Sequence, residues 1–314
     1  VIPLTEPSFT HRIAATELSR FQINSLIYGD SISEDRAKTV SDALGAFDLH
    51  QRCLALSDDA IISEAGDPAR YNLYEADDLR QLIRQLSGVI AIDLTSLEHR
   101  VWAPLVRTIL LERRTLIALY AEPNDYQRDG NEAGAPYDLS STKGIEPLPG
   151  FARIGLRKGD QGAFAPLLGF EGARLKHIFD QEDVDARQTS PVVGIPGFRL
   201  EYSTHSYIAN RDVLDTDRME DRVELASASC PFEAFDALSR IHGRTGNGYL
   251  RIAPIGTKPH ALGAVLYAIL NEDQVELIYD HPVRRESRTE GSRGIYVYDV
   301  SGFLQQRMWP LDES

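Results

Sequence analysis

The chain predicts an α/β fold, with mostly parallel sheets flanked by helices and arranged in two domains. Three observations carry this. Short apolar runs rich in branched residues, such as VIAIDL at 89–94 and TLIALY at 115–120, have the pattern of buried strands. Segments with helical spacing lie between such runs; in DDLRQLIRQL, Leu79, Leu82, Ile83 and Leu86 share one face. The length of 314 residues exceeds one minimal domain and suits two. Strands alternating with helices are the signature of a parallel sheet with right-handed crossovers.

Element by element, residues 1–20 read as an N-terminal arm, and FQINSLIY at 21–28 as the first strand, broken by Gly29 and Asp30. Ser33 opens a helix with acidic residues in its first turn. Region 48–75 carries little period beyond a short strand over 59–63. The strand at 89–94 precedes a helix over 97–113 with Trp102, Leu105, Val106, Ile109 and Leu110, then the strand at 115–120. Residues 122–150 collect Pro123, Gly130, Gly134, Pro136, Gly144, Pro147 and Pro149 among polar residues, which predicts a linker or surface excursion.

The second half repeats the alternation. Strands are expected at 151–156, 165–170, 191–195, 223–228, 250–255 and 275–279, with helices at 172–179, 231–241 and from Pro259 onward. Residues 199–221 are polar and have no clear assignment, and 295–300 alternates as an edge strand does. The expected organisation is therefore a Rossmann-like domain over 1–121, a connection over 122–150 and a second Rossmann-like domain over 151–314.

Composition narrows the function classes. Net charge is −14, which disfavours duplex nucleic acid as a partner. Arg284, Arg285, Arg288 and Arg293 alternate with Glu286 and Glu290, as in a solvated loop. No apolar run reaches the roughly 18 residues that span a bilayer. The opening VIPLTEPSFTHR lacks a basic region followed by an apolar core, so no signal peptide is expected in it, and an initial Val leaves an upstream segment open. Cys53 and Cys230 form neither a disulfide framework nor a CxxC pair, and a reducing cytoplasm is the simplest setting.

The richest stretch is YLRIAPIGTKPHALGAVLYAIL, 249–270, read as strand, tight turn and helix. Gly256 permits a close backbone approach, Thr257 can cap the helix and Pro259 fits its first turn. Free N–H groups there, beside Lys258, suit an anion such as phosphate or carboxylate; the alternative is an ordinary turn with a solvated lysine. Ligands of open parallel sheets bind beyond the carboxyl ends of the strands. That rule adds Gly169, Glu171, Gly172 and Arg174, Phe198, Ser229 and His260 to Gly256, Thr257 and Lys258. Arg174 and Lys258 could bind phosphate, Phe198, Tyr202 or Tyr207 could stack on a base, and Glu171 could accept ribose hydroxyls or simply start a helix.

As acid/base candidates the chain offers Asp93 at a strand end, Glu171, and His281 beside Asp280, the last pair being equally a turn before Pro282. Asp30 and Asp93 could share a crevice and hold Mg²⁺, or cap turns. Cys230 at a helix start could carry a low pKa or be structural. LLGFEGARL lacks the G-x-G-x-x-G spacing, so no NAD is predicted, and the cofactor stays open. Neither G-x-x-x-x-G-K-[ST], G-x-S-x-G nor HExxH occurs, which argues against a P-loop ATPase, a serine hydrolase and a zinc enzyme. No metal site is predicted.

Two stretches resemble known families. IAPIGTKPHALGAV resembles the strand–turn–helix of CARF domains, the CRISPR-associated Rossmann-fold sensors. That resemblance implies that Gly256, Thr257 and Lys258 contact ligand phosphates. GVIAIDLTSLEHRVWAPLVRTILLERRTLIALY, 88–120, is similar to TIR-like and nucleoside deoxyribosyltransferase-like domains. Those enzymes place a catalytic Glu in the helix, whereas 103–107 here holds no acid. Both likenesses imply nucleotide handling in prokaryotic antiviral defence or signalling. The expected function is a nucleotide- or phosphate-ligand-binding sensor or regulatory module. An enzyme acting on nucleotides or nucleosides, or a non-catalytic assembly subunit with a protein partner or a second copy, are the alternatives.

Overall fold

The computed structural model describes residues 8–30, 35–45, 47–58, 60–64, 68–126, 140–141, 144–152, 162–182, 184–246, 248–284 and 289–308. Along the chain, β1 (Thr10–Ile13) and β2 (Ser25–Gly29) precede α1 (Thr39–Leu44). Then come β3 (His50–Leu56), β4 (Ile61–Glu64), β5 (Arg70–Asn72), α2 (Ala76–Arg84), β6 (Ile90–Asp93), α3 (His99–Leu111) and β7 (Leu116–Tyr126). Two short strands, β8 (Ser140–Ser141) and β9 (Glu146–Pro147), lead to β10 (Ala163–Pro166) and α4 (Gly172–Gln181). Next are β11 (Val192–Gly194), α5 (Leu200–Leu214), β12 (Glu224–Ala226), α6 (Pro231–Arg244), β13 (Leu250–Ala253), α7 (Lys258–Leu270) and β14 (Val275–Tyr279). The last described elements are β15 (Val283–Arg284), β16 (Thr289–Asp299) and α8 (Val300–Met308).

The fold is mixed α/β, and the chain divides into two compact units. Unit 1 draws on the described residues of Val1–Glu98, Thr108–Asn124 and Gly291–Ser314; unit 2 draws on His99–Arg107 and Asp125–Glu290. The described residues 291–308, expected with the second half, thus belong with the first.

Unit 1 is built on one sheet in the order β1–β16–β7–β6–β2–β3–β4–β5. The β7–β6, β6–β2 and β2–β3 pairs are parallel, and β3–β4, β4–β5 and β1–β16 are antiparallel. All four residues of β6 and the first eight of β7 are buried. Covering on both faces is why these strands are continuous apolar runs rather than alternating ones. One face packs Leu26, Ala91, Leu119 and Val297 against Leu18, Val40 and Leu44. Each fully buried Leu or Val contributes roughly 1.5–3 kcal/mol.

Four expectations change here. The segment at 295–300 is not an edge strand: β16 lies between β1 and β7, and its inward Ile295 and Val297 are fully buried. Part of the expected arm is β1, which pairs with β16. The first strand begins at Ser25, because Phe21 closes a 3-10 helix over Ala15–Phe21. The stretch 48–75 holds three strands that its mixed polar composition conceals. The expected helix start at Ser33 and most of 122–150 lie outside the described residues.

In unit 2, β10, β13 and β14 are parallel neighbours, with β9 antiparallel at one end. β11 and β12 pair in parallel, and two parallel bridges, Phe164 with Thr189 and Leu167 with Val192, join β11 to β10. The parallel strands therefore run in the order β12–β11–β10–β13–β14, reversing direction of progression between β10 and β13. α7 is buried from Lys258 to Ala268, as its apolar circumference requires. It packs against α6, where Gly263 faces the Pro231 carbonyl. The unassigned region 199–221 contains α5. Its buried stripe is Tyr202, Ser206, Asn210 and Leu214, spaced by four but half polar, so hydrophobic periodicity does not reveal it. Residues 151–152 are not strand, and the rest of the expected strand at 151–156 lies outside the described residues.

Candidate ligand-binding site

The carboxyl ends of the unit 2 strands collect most of the residues singled out by sequence. The turns after β10 and β13 touch each other. A Cβ on Gly256 would lie 2.5 Å from the Leu168 carbonyl oxygen, and one on Gly169 would lie 2.9 Å from that of Ile255. Only glycine allows the two turns to approach this closely. The turns after β12 and β13 are laced together. Thr257 caps α7 by accepting from the His260 amide at 3.3 Å, and its hydroxyl donates to the Ala228 carbonyl at 2.8 Å. The His260 ring meets the Ser227 carbonyl at 2.9 Å. Ser227 and Ser229 hydroxyls are 3.2 Å apart at the start of α6. The turn after β11 joins them, with Ala228 N–H donating to the Pro196 carbonyl and Phe198 half-buried just beyond.

The N-termini of α6 and α7 consequently open side by side on one rim. Each presents the positive end of a helix dipole. Lys258, the first residue of α7, is buried at 5% exposure.

His260 is wholly buried, and burial brings its pKa from 6.5 down to about 4. The ring is neutral at neutral pH, with Nε2–H donating to Ser227 and Nδ1 without a partner. The sign of the pH effect follows. The unfolded chain takes up a proton below pH 6.5 that the folded protein refuses until about pH 4, so stability falls as pH drops through that window. The expected loss is on the order of 3 kcal/mol. Urea titrations at pH 7.5 and pH ~4.5 should show this loss shrinking in His260→Gln; an unchanged loss would show that another group sets it.

Arg174 is not available to a ligand. Its Nε and Nη2 donate to the Asp280 carboxylate at 2.7 and 2.5 Å, and Nη1 donates to the Ile255 carbonyl at 2.9 Å. Burial opposes the guanidinium charge, but the hydrogen bonds and charge of Asp280 outweigh it and hold its pKa above the ordinary value. Glu171 precedes α4 without capping it and lies 3.6 Å from Arg174. Gly172 begins α4 against the Ala209 backbone. Because Asp280 is turned to Arg174, it does not form an acid/base pair with His281. The His281 ring packs edge-on to Tyr279 at 5.3 Å, and burial lowers its pKa.

Tyr202 is also engaged: its hydroxyl donates to Asp125 at 2.8 Å, and its ring meets Phe170 and Tyr126 edge-on. Tyr207 is exposed. Sequence reasoning missed Asp280 as the partner of Arg174; an acid one residue past a strand end was the available signal.

Asp93 belongs to unit 1. It is fully buried, accepting from Thr95 N–H at 2.8 Å and Ser96 hydroxyl at 2.6 Å, while Ser96 Oγ accepts from Gly29 N–H at 2.9 Å. The carboxylate fastens the turn after β6 to the end of β2, the capping role. Asp30, after β2, is exposed. Among the described residues no group of three His, Cys, Asp or Glu could hold a metal ion, and no helix is long and apolar enough to cross a membrane.

Comparison with protein-family models, curated proteins and solved structures gives no match.

Proposed function

We propose that unit 2 is a Rossmann-like module that binds a nucleotide or another phosphate-bearing small molecule, acting as a sensor or regulatory module. The observation that carries this reading is the rim where α6 and α7 open together, laced by Thr257–Ala228 and His260–Ser227. Two adjacent helix N-termini, two serine hydroxyls and Lys258 make a field suited to an oxyanion. The strand order β12–β11–β10–β13–β14 supports it, since ligands of doubly wound sheets occupy the point where strand order reverses. Gly169 and Gly256 flank that point. The likeness of 252–265 to CARF sensors agrees with a cyclic or linear oligonucleotide ligand and with a defence role. Unit 1, with the parallel order β3–β2–β6–β7, suits the Rossmann-like reading as well.

The test is native mass spectrometry of the purified protein with extraction of any retained small molecule, followed by calorimetric titration with that molecule or with ATP. Lys258→Ala should weaken binding about tenfold or more while leaving the far-UV spectrum unchanged. Equal affinity in the variant would remove Lys258 from the site. No retained or titratable phosphate compound would remove the function.

A further inference from the structure

A second polar site lies at the opposite, amino-terminal edge of the unit 2 strands. Here a cavity of about 560 Å³ opens between the residues entering β11 and β12 and the last turn of α6. Its volume falls within the range of small-molecule sites. Three guanidinium groups reach its wall, from Arg187, Arg222 and Arg244, in a protein whose net charge is −14.

The three are held differently. Among the described residues Arg222 forms no ion pair. Its Nε donates to the Thr189 carbonyl at 3.0 Å and Nη2 to the Ala186 carbonyl at 2.8 Å, with longer bonds to the Asp217 carbonyl. Backbone carbonyls thus fix the fork in place without cancelling its charge. Arg244 pairs with Glu224, which Arg240 also contacts at 3.0 Å, so two cations share one carboxylate. Arg187 pairs with Asp185 at 3.0 Å but is three-quarters exposed and can swing inward. Asp221, on the same wall, is held by Arg218 at 2.6 Å. The cationic excess is centred on Arg222.

The remaining lining decides the ligand class. Ser190 and Thr245 offer hydroxyls, Gln188 offers an amide, and Asp221 and Glu224 can accept hydroxyl hydrogens. Among the described lining residues there is no aromatic ring to stack on a base. We infer that this cavity binds a phosphorylated polyol, such as a sugar phosphate: the fixed charge of Arg222, with Arg187 swung inward from Asp185, takes the phosphate, and the carboxylates, amide and hydroxyls take the hydroxyl groups. The inference rests on different residues from those of the strand-end rim.

Calorimetric titration of the intact chain with ribose 5-phosphate, ribose and inorganic phosphate tests it. Ribose 5-phosphate should bind saturably, inorganic phosphate more weakly, and ribose not at all. Arg187→Glu, whose exposed side chain leaves the fold intact, should weaken ribose 5-phosphate about tenfold or more. Arg222→Lys, which keeps the charge but loses the fork, should weaken it as well, with a thermal melt confirming folding. Arg20→Glu, the same charge change at an exposed position in unit 1, should bind as the wild type does. Absence of saturable binding at about 10 mM, equal affinity in Arg187→Glu, or ribose binding as well as its phosphate would each overturn the assignment. Phosphate binding as well as ribose 5-phosphate would overturn the polyol part.

Discussion

Asp280→Ala is expected to destabilise the protein by about 3–5 kcal/mol in urea denaturation. The carboxylate is wholly buried and takes two hydrogen bonds from Arg174, which is itself only 8% exposed. Removing it leaves a guanidinium in the interior with one hydrogen bond, to the Ile255 carbonyl, and the more distant Glu171 at 3.6 Å. The guanidinium cannot escape by losing its proton, since arginine remains charged at any working pH. The double variant Arg174→Met/Asp280→Leu should recover most of the loss, because a buried pair replaced by apolar groups of similar volume is close to neutral. A single variant with the wild-type urea midpoint would show that water already reaches this pair.

Gly172→Ala is expected to cost about 3 kcal/mol, at the upper end for overpacking. An added Cβ would stand 1.7 Å from the Ala209 carbonyl oxygen, so backbone would meet backbone and no side-chain rotation could relieve the clash. α4 and α5 would have to separate. Gly243→Ala is the control: nothing lies within 4 Å of its Cβ position in α6. There the gain in helix propensity should leave stability unchanged or raise it by roughly 0.5–1 kcal/mol. If both variants melt together, the packing of α4 on α5 is looser than the distance implies.

Most of the parallel strands, β3 excepted, were legible because burial on both faces leaves a chemical trace. Asp93 apart, VIAIDL and TLIALY contain no charged residue, and they became β6 and β7. The chain hid elements whose burial is achieved with polar atoms. α5 turns Ser206 and Asn210 inward, where both donate to the Gly169 carbonyl, and no hydropathy pattern registers a hydrogen bond. The same limit governs the site. The turn residues Gly256 and Thr257 were readable, since turn geometry and capping are local. The partner that withdraws Arg174 from ligand chemistry lies 106 residues away, and only the fold brings it near.

The placement of β16 bears on synthesis. Unit 1 cannot complete its sheet until β16 has been made, yet the stretch 125–290 that dominates unit 2 is translated first. On the ribosome, β7 must therefore wait with one edge unpaired through the emergence of more than half the chain. Exposed strand edges are where nascent proteins aggregate or recruit chaperones. A short truncation or a stalled ribosome upstream of β16 would thus imperil the first-made half of the molecule rather than the last.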